Sequence, residues 1–242
     1  MNPGTPCLLF ALGRESMYFR RKCGTLTHLR SAPCSAYLCS VAAQPLLTLE
    51  TGVGRMAALT ALDWALAELN LSAFVLFAGF AGALTTALHV GDVLLADTIL
   101  DESGQRWATT WSVAGDVKLR RGSVLTTTTL IGSTEAKRRL GADHAADAVD
   151  MEAAYVAARC AERGVPFGCV RAISDTVDTP LSPALVDLLA GGRVSARRAA
   201  FAVARQPRLL GEFWRLQRDT RQAAYQLAIA VRGLIGAAHP NQ

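Results

Sequence analysis

Residues 149–178 read VDMEAAYVAARCAERGVPFGCVRAISDTVD, and the succession of residue types in this stretch decides an α/β reading. Met151 and Glu152 precede Ala153, Ala154, Ala157 and Ala158, all strong helix formers, so a helix opens here. Gly164 ends it and Pro166 bars its continuation. Residues 167–173 form a short apolar run containing Val170 and Ile173, which predicts a buried strand. Ser174 and Asp175 follow where that strand should end. Ligands of open α/β sheets sit outside the carboxyl ends of strands. A carboxylate at a helix start and another at a strand end, joined by one αβ unit, can therefore face a common pocket. Taken singly, Glu152 also reads as a first-turn acid favoured by the helix macrodipole, and Asp175 as a turn residue.

Working outward, residues 7–12 read as a first buried strand followed by Gly13, Arg14 and Glu15. A carboxylate at that strand end can act as a general base; a surface helix-start glutamate is the alternative. Residues 37–41 and 46–50 read as two further strands, with Gln44–Pro45 as the break between them. Thr51-Gly52-Val53-Gly54-Arg55 then opens a helix over residues 56–69. A Gly-x-Gly between strand and helix lets backbone approach a ligand, although the full dinucleotide fingerprint is absent. Residues 73–79 predict a nearly continuous apolar strand running into Gly79-Phe80-Ala81-Gly82. Residues 90–97 predict another strand, and residues 122–129 are β-branched and threonine-rich, a further strand. Residues 99–120, with Trp107 and Trp111, are polar and irregular and read as a flap or loop. Ser133 is placed to cap a helix over residues 134–140.

The run VDMEAA followed by VRAISDTVD resembles the nucleoside phosphorylase/nucleosidase superfamily, and within it the methylthioadenosine/S-adenosylhomocysteine nucleosidases. The resemblance spans most of residues 7–178. It implies a single three-layer α/β domain over residues 1–192, a central mixed twisted sheet flanked by helices. It also implies the site: Met151 packs under the ribose, Glu152 holds its hydroxyls, and Asp175 of the Ser174–Asp175 pair protonates the purine. Glu15 would activate the attacking water; of the family's acidic run after the first strand, only this acid is kept. Ala81 and Gly82 would line the nucleoside pocket, Leu130 and Ile131 the adenine, with Leu130 in place of a stacking aromatic. Gly54 falls in the family's Gly-x-Gly, and Asp92 reads as structural. The superfamily's phosphorylases carry an arginine and a serine for phosphate; here Phe77 and Phe80 stand at those positions. An aromatic ring cannot donate the charge-assisted hydrogen bonds a phosphate dianion needs, so water is the expected nucleophile. The implied chemistry needs no metal and no cofactor. General-acid action by Asp175 would rest on burial among apolar neighbours.

Composition sets outer limits. At 242 residues and 51% hydrophobic, the chain can bury a large core as one α/β domain. The longest apolar run, residues 73–84, is too short for a spanning helix, which needs about 18 residues. The N-terminus lacks a basic region before its apolar part, so no signal peptide is expected and the protein is expected in the cytoplasm. The six cysteines form no C-x-x-C pair, and Cys34 and Cys39 with His28 match no standard zinc spacing. Reduced, mostly buried thiols are expected.

The net charge of +5 is uneven: from residue 193 onward nine arginines face two acids. Residues 180–190 read as helical, and Pro207 starts a long helical pattern with Leu210, Phe213, Trp214, Ala224, Leu227, Ala228 and Val231 on one face. This arginine-rich extension, residues 193–242, resembles a branch of the superfamily associated with hopanoid biosynthesis. That resemblance implies removal of adenine from adenosylhopane, a triterpenoid carrying adenosine through its 5′ carbon. An arginine-rich amphipathic helix with Trp and Phe suits a membrane interface; packing on the domain or on a partner subunit is the alternative. The function expected is thus a nucleosidase releasing adenine from a 5′-substituted adenosine. A phosphorylase with a phosphate site rebuilt from Arg14, Arg55 or another arginine, and a non-catalytic nucleoside-binding protein, are the other readings. The expected partners are a purine nucleoside, a second copy of the chain in a homodimer, and a membrane surface at the extension, with no nucleic acid.

Overall fold

The structure, a computed structural model, describes residues 5–24, 26–68, 74–110, 119–189, 205–206 and 208–237. In chain order the elements are β1 (Cys7–Phe10), α1 (Gly13–Arg20), β2 (Thr27–His28), β3 (Ser35–Val41), β4 (Gln44–Glu50), α2 (Arg55–Glu68) and β5 (Val75–Ala83). There follow β6 (Val93–Asp101), β7 (Arg106–Ala108), β8 (Arg120–Thr126), α3 (Thr134–His144), β9 (Ala148–Asp150), α4 (Ala153–Glu162), β10 (Phe167–Asp175), α5 (Pro183–Leu189) and α6 (Arg208–Ala237).

The strands form one mixed sheet. Its open half runs from β5 through β1 and β4, both added in parallel, to the antiparallel edge strands β3 and β2. The other half curls on itself. β5 pairs in parallel with β10, β10 antiparallel with β6, β6 parallel with β8, β8 parallel with β9, and β9 antiparallel with the end of β5. This ring closes because β5 is long enough to carry β1 at its start and β9 at its end on one edge, with β10 along the other.

Alternate residues of β1 go to opposite sides. Cys7 and Leu9 pack with Ala58, Leu62, Val156 and Ala157 under α2 and α4. Leu8 and Phe10 pack with Phe19 of α1 and Leu227, Val231 and Leu234 of α6. These are the outer layers of a three-layer sandwich with the sheet in the middle. β10 is buried along its whole length, which explains why its sequence lacks the alternation of a half-exposed strand.

Four expectations are corrected. β4 starts at Gln44, and Pro45 pairs with Ser40; the break lies at Ala42 and Ala43, at φ 49° and 66°. Two positive φ values make the tight hairpin turn usually signalled by Asn-Gly, and Ala-Ala gives no such signal. Gly79-Phe80-Ala81-Gly82 is strand, not turn: β5 runs on to Ala83. The stretch taken as irregular begins with the end of β6 and contains β7, antiparallel to it; Trp111 and residues 112–118 lie outside the described residues. On α6, Leu210 and Trp214 are exposed (51% and 69%) rather than on the packed face, and Leu209 is buried instead. No helix among the described residues is long and apolar enough to cross a membrane. The boundary at residue 193 also falls outside the described residues.

A charge sits inside this sandwich. Arg171, in the middle of β10, is 1% exposed, and its Nε and Nη2 donate to Asp150 Oδ2 at 2.9 and 2.6 Å. Its Nη1 donates to the carbonyls of Phe77 and Val170, and the guanidinium lies over the Phe77 ring, 4.2 Å from its centroid. Removing one partner strands the other charge, at a cost of about 3–5 kcal/mol. Arg171→Met is therefore expected to lower the urea midpoint strongly. The double variant Asp150→Asn/Arg171→Met should lose less than Arg171→Met alone.

Candidate active site

The carboxyl ends of β5 and β10 and the N-termini of α1 and α4 surround a cavity of ≈ 780 Å³. Glu15, Glu152 and Asp175 all line it, from three separate parts of the chain. Each is buried, at 4%, 7% and 9% exposure.

Glu15 sits in the first turn of α1, where the helix N-terminus favours a negative charge. Its Oε2 accepts from the Leu12 N–H and its Oε1 from the Phe80 N–H, both at 2.8 Å. Burial raises its pKa above the ordinary carboxylate value, against the lowering effect of these two bonds and of the Arg171 charge. A buried carboxyl with a raised pKa can take up a proton.

Glu152 is the N-cap residue of α4, yet its side chain makes no capping bond. Asp150 does that work: its carboxylate accepts from the Ala153 N–H, while Thr126 Oγ1 accepts from the Ala154 N–H and donates to Asp150. Relieved of capping, Glu152 turns into the cavity and accepts from the Gly54 N–H at 2.8 Å. Gly54 has φ 94°, a conformation open to glycine, which lets its N–H point at the carboxylate. Burial, then the charge of Asp150, raises the Glu152 pKa to about 7; the Gly54 N–H opposes this and Glu15 adds to it.

Asp175 ends β10 at a register shift between Ile173 and Asp175. A regular strand would send Ser174 and Asp175 to opposite faces; this irregularity lets both line the cavity. Ser174 Oγ donates to Asp175 Oδ1 at 2.8 Å. The surroundings of Asp175 are not simply apolar, as the sequence reading supposed: the buried ammonium of Lys137 lies against its Oδ2. Two glycines of β5 make room for the acids. A Cβ on Gly79 would stand 3.0 Å from Glu15 Oε1, and one on Gly82 would stand 3.0 Å from Asp175 Oδ2.

Met151, Ser174, Ala81, Gly82 and Leu130 line the same cavity. Ile131 lines a smaller recess of ≈ 30 Å³ that shares Leu130, Met151 and Asp175 with it. Gly54 stands behind Glu152 rather than in the wall. Of the two aromatics at the positions linked to phosphate, Phe80 lines the cavity and Phe77 is buried under Arg171. Arg14 is in the wall, whereas Arg55 lies over the Tyr155 ring. The wall also takes in Leu181, Leu189 of α5, and Phe213, Leu216, Gln217 and Thr220 of α6. Asp150, Arg171 and Lys137 did not stand out in the sequence. The first two lie within residues 149–178, where an arginine inside an apolar strand run is itself a signal.

The family model described as the phosphorylase superfamily matches residues 7–110 and 108–204. The chain belongs to that superfamily. Among curated members, a 129-residue match to the aminodeoxyfutalosine nucleosidase of Helicobacter pylori is 30% identical, covering 43% of this chain and 56% of that protein. A 205-residue match to the 5′-methylthioadenosine/S-adenosylhomocysteine nucleosidase of Haemophilus influenzae is 26% identical, covering 74% and 89%. Among solved structures, the Colwellia psychrerythraea methylthioadenosine/S-adenosylhomocysteine nucleosidase in complex with adenine superposes with TM-score 0.72 at 16% identity, over 98% of this chain and 96% of that one. The corresponding Helicobacter pylori nucleosidase gives TM-score 0.71 at 18% identity over 98% and 99%. At these identities the superpositions establish a shared fold, and the phosphorylase-superfamily architecture expected from residues 149–178 is present.

Glu152 carries a measurable consequence. Its pKa is raised in the folded protein from 4.5 to about 7, so the folded state holds this proton more tightly than the unfolded chain. Its contribution is most favourable below the unfolded value and is lost as pH climbs through the folded one, by at most about 3 kcal/mol. Glu152→Gln, which keeps the shape without the charge, should gain stability relative to the wild type between pH 4.5 and 7. Urea unfolding at a series of pH values measures the difference.

Proposed function

We propose that this superfamily member is a nucleosidase that hydrolyses the N-glycosidic bond of a 5′-substituted adenosine and releases adenine. The observation that carries the reading is the convergence of Glu15, Glu152 and Asp175 on one cavity. Relatives named as nucleosidases of methylthioadenosine, S-adenosylhomocysteine and aminodeoxyfutalosine support it.

In this mechanism Asp175 donates a proton to N7 of the purine as the C1′–N9 bond breaks. The bonding electrons pass to the base, which leaves as neutral adenine, and the sugar becomes oxocarbenium-like. Glu152 accepts hydrogen bonds from the ribose hydroxyls and offsets the developing positive charge, with Met151 beneath the ring. Glu15 takes the proton from a water that attacks C1′. Acid on one side and base with water on the other is the arrangement of an inverting glycosidase. Phe80 in the wall offers no side-chain donor to phosphate, which supports water as the nucleophile.

The apolar part of the wall supports an apolar 5′ group. Leu181, Leu189, Phe213 and Leu216 line the cavity and pack in one apolar cluster with Leu130, and ≈ 780 Å³ leaves volume beyond a nucleoside. A long hydrocarbon substituent, as in adenosylhopane, is the extended form of this reading. Exposed Leu210 and Trp214 on α6, with Arg218 and Arg221 also exposed, support a peripheral contact with an anionic membrane. Arg14 in the wall is the observation that favours the second reading, a phosphorylase.

Adenine release from a panel of 5′-substituted adenosines, with and without phosphate, separates the two. Phosphate-independent release yielding the free sugar is expected; ribose 1-phosphate formation would falsify the hydrolase assignment. Asp175→Asn is expected to lower kcat by about 10²–10⁴-fold, the usual size of a general-acid effect.

A further inference from the structure

Lys137 stands in an unusual place. It lies in the first turns of α3, whose N-terminus is capped by Ser133 accepting from the Ala136 N–H at 3.3 Å. A cation there opposes the helix macrodipole. The residue is also 0% exposed, and burying an ammonium is costly unless it is paired and fully hydrogen-bonded. Nothing in the helix itself asks for a lysine at this position.

Its three donors are all used at the end of β10. Nζ donates to Asp175 Oδ2, to the Thr176 carbonyl at 3.0 Å and to the Thr179 carbonyl at 3.2 Å. An ammonium has three N–H groups, so none is left for a ligand. Lys137 is also absent from the lining of both recesses that Asp175 faces. The residue therefore acts on Asp175 and on the segment after it, not on a bound molecule. That segment is closed on itself by the Thr179 N–H to the Thr176 carbonyl and is followed by Leu181, whose N–H donates to Gly132 just before α3.

Asp175 is thus held from three directions. Lys137 sits on Oδ2, Ser174 Oγ donates to Oδ1, and the bare backbone of Gly82 lies alongside Oδ2. Resting on the nucleosidase reading, we propose that Lys137 is a positioning residue for leaving-group protonation: it fixes the plane of the Asp175 carboxyl and stabilises the carboxylate formed when the proton passes to the base. The step balances once Asp175 has taken a proton from solvent ahead of cleavage. Its O–H bond then breaks, the purine N7–H bond forms, and the carboxylate left behind faces an ammonium that neither gains nor loses a proton.

A leaving group that departs as a stable anion tests this, because it needs no proton. Lys137→Met and Lys137→Arg are compared with Asp175→Asn on a 5′-substituted adenosine and on 4-nitrophenyl riboside, with melting temperatures recorded for each. For Lys137→Met, kcat for adenine release should fall by about 100-fold or more. KM should move by less than about threefold, since the side chain does not touch substrate. Release of 4-nitrophenolate should be largely kept in both Lys137→Met and Asp175→Asn, and Lys137→Arg should recover part of the adenine rate. Equal loss of both activities in Lys137→Met, or unchanged adenine release, overturns the proposal. Should the wild type not accept the nitrophenyl glycoside, the split between kcat and KM with rescue by Arg decides alone. A wild type releasing no adenine from any 5′-substituted adenosine sinks the nucleosidase reading itself. An active wild type with inactive Asp175→Asn and fully active Lys137→Met sinks only the role of Lys137.

Discussion

A guanidinium and a carboxylate meet inside the protein where β9, α4 and β10 converge. Arg171 and Asp150 are joined by two hydrogen bonds, and the second task of Asp150 is to cap α4 through the Ala153 N–H. One carboxylate therefore fixes three things: the height of β10 relative to β9, the start of α4, and the direction in which the next acid, Glu152, points. A buried charge tolerates little displacement, because its partner cannot be replaced by water. The position of the site follows from that intolerance.

The same guanidinium organises the electrostatics. Glu15, Glu152 and Asp150 gather around Arg171, whose positive charge works against the burial that raises the pKa of the first two. Without it, several carboxylates in one dry hollow would repel one another and take up protons. With it, the rise that burial imposes on the Glu15 and Glu152 pKa values is held back. Across the cavity Asp175 has its own cation, Lys137. Each side of the hollow thus has a buried cation of its own.

Much of this was legible in residues 149–178. The αβ unit, the end of its helix at Gly164 and the strand after Pro166 follow from propensity and punctuation, which act locally. Glu152 and Asp175, which both line the cavity, stood out because a motif fixes their order along the chain. The rest was hidden for physical reasons. β9 has three residues, too few for any periodicity, and the Ala42–Ala43 turn uses residues that carry no turn signal. Lys137 looks like a solvated helix residue until the fold brings Asp175, 38 positions away, against it. The packed face of α6 shifted by one residue from Leu210 to Leu209, a change that a run of adjacent leucines cannot resolve by pattern alone.

The ring formed by β5, β10, β6, β8 and β9 has a bearing on how such a protein diversifies. Strands bonded on both edges cannot slide without breaking two ladders at once, so the rim bearing Asp175, Gly82 and Asp150 is fixed in depth. The part of the wall drawn from α5 and α6 is tied to the sheet by side chains rather than by ladders. The shape of the cavity can then be retuned by exchanging residues such as Phe213 or Leu216 while the acids stay where they are. In this architecture, tolerance for a reshaped cavity and constancy of its buried acids belong to different layers of the molecule.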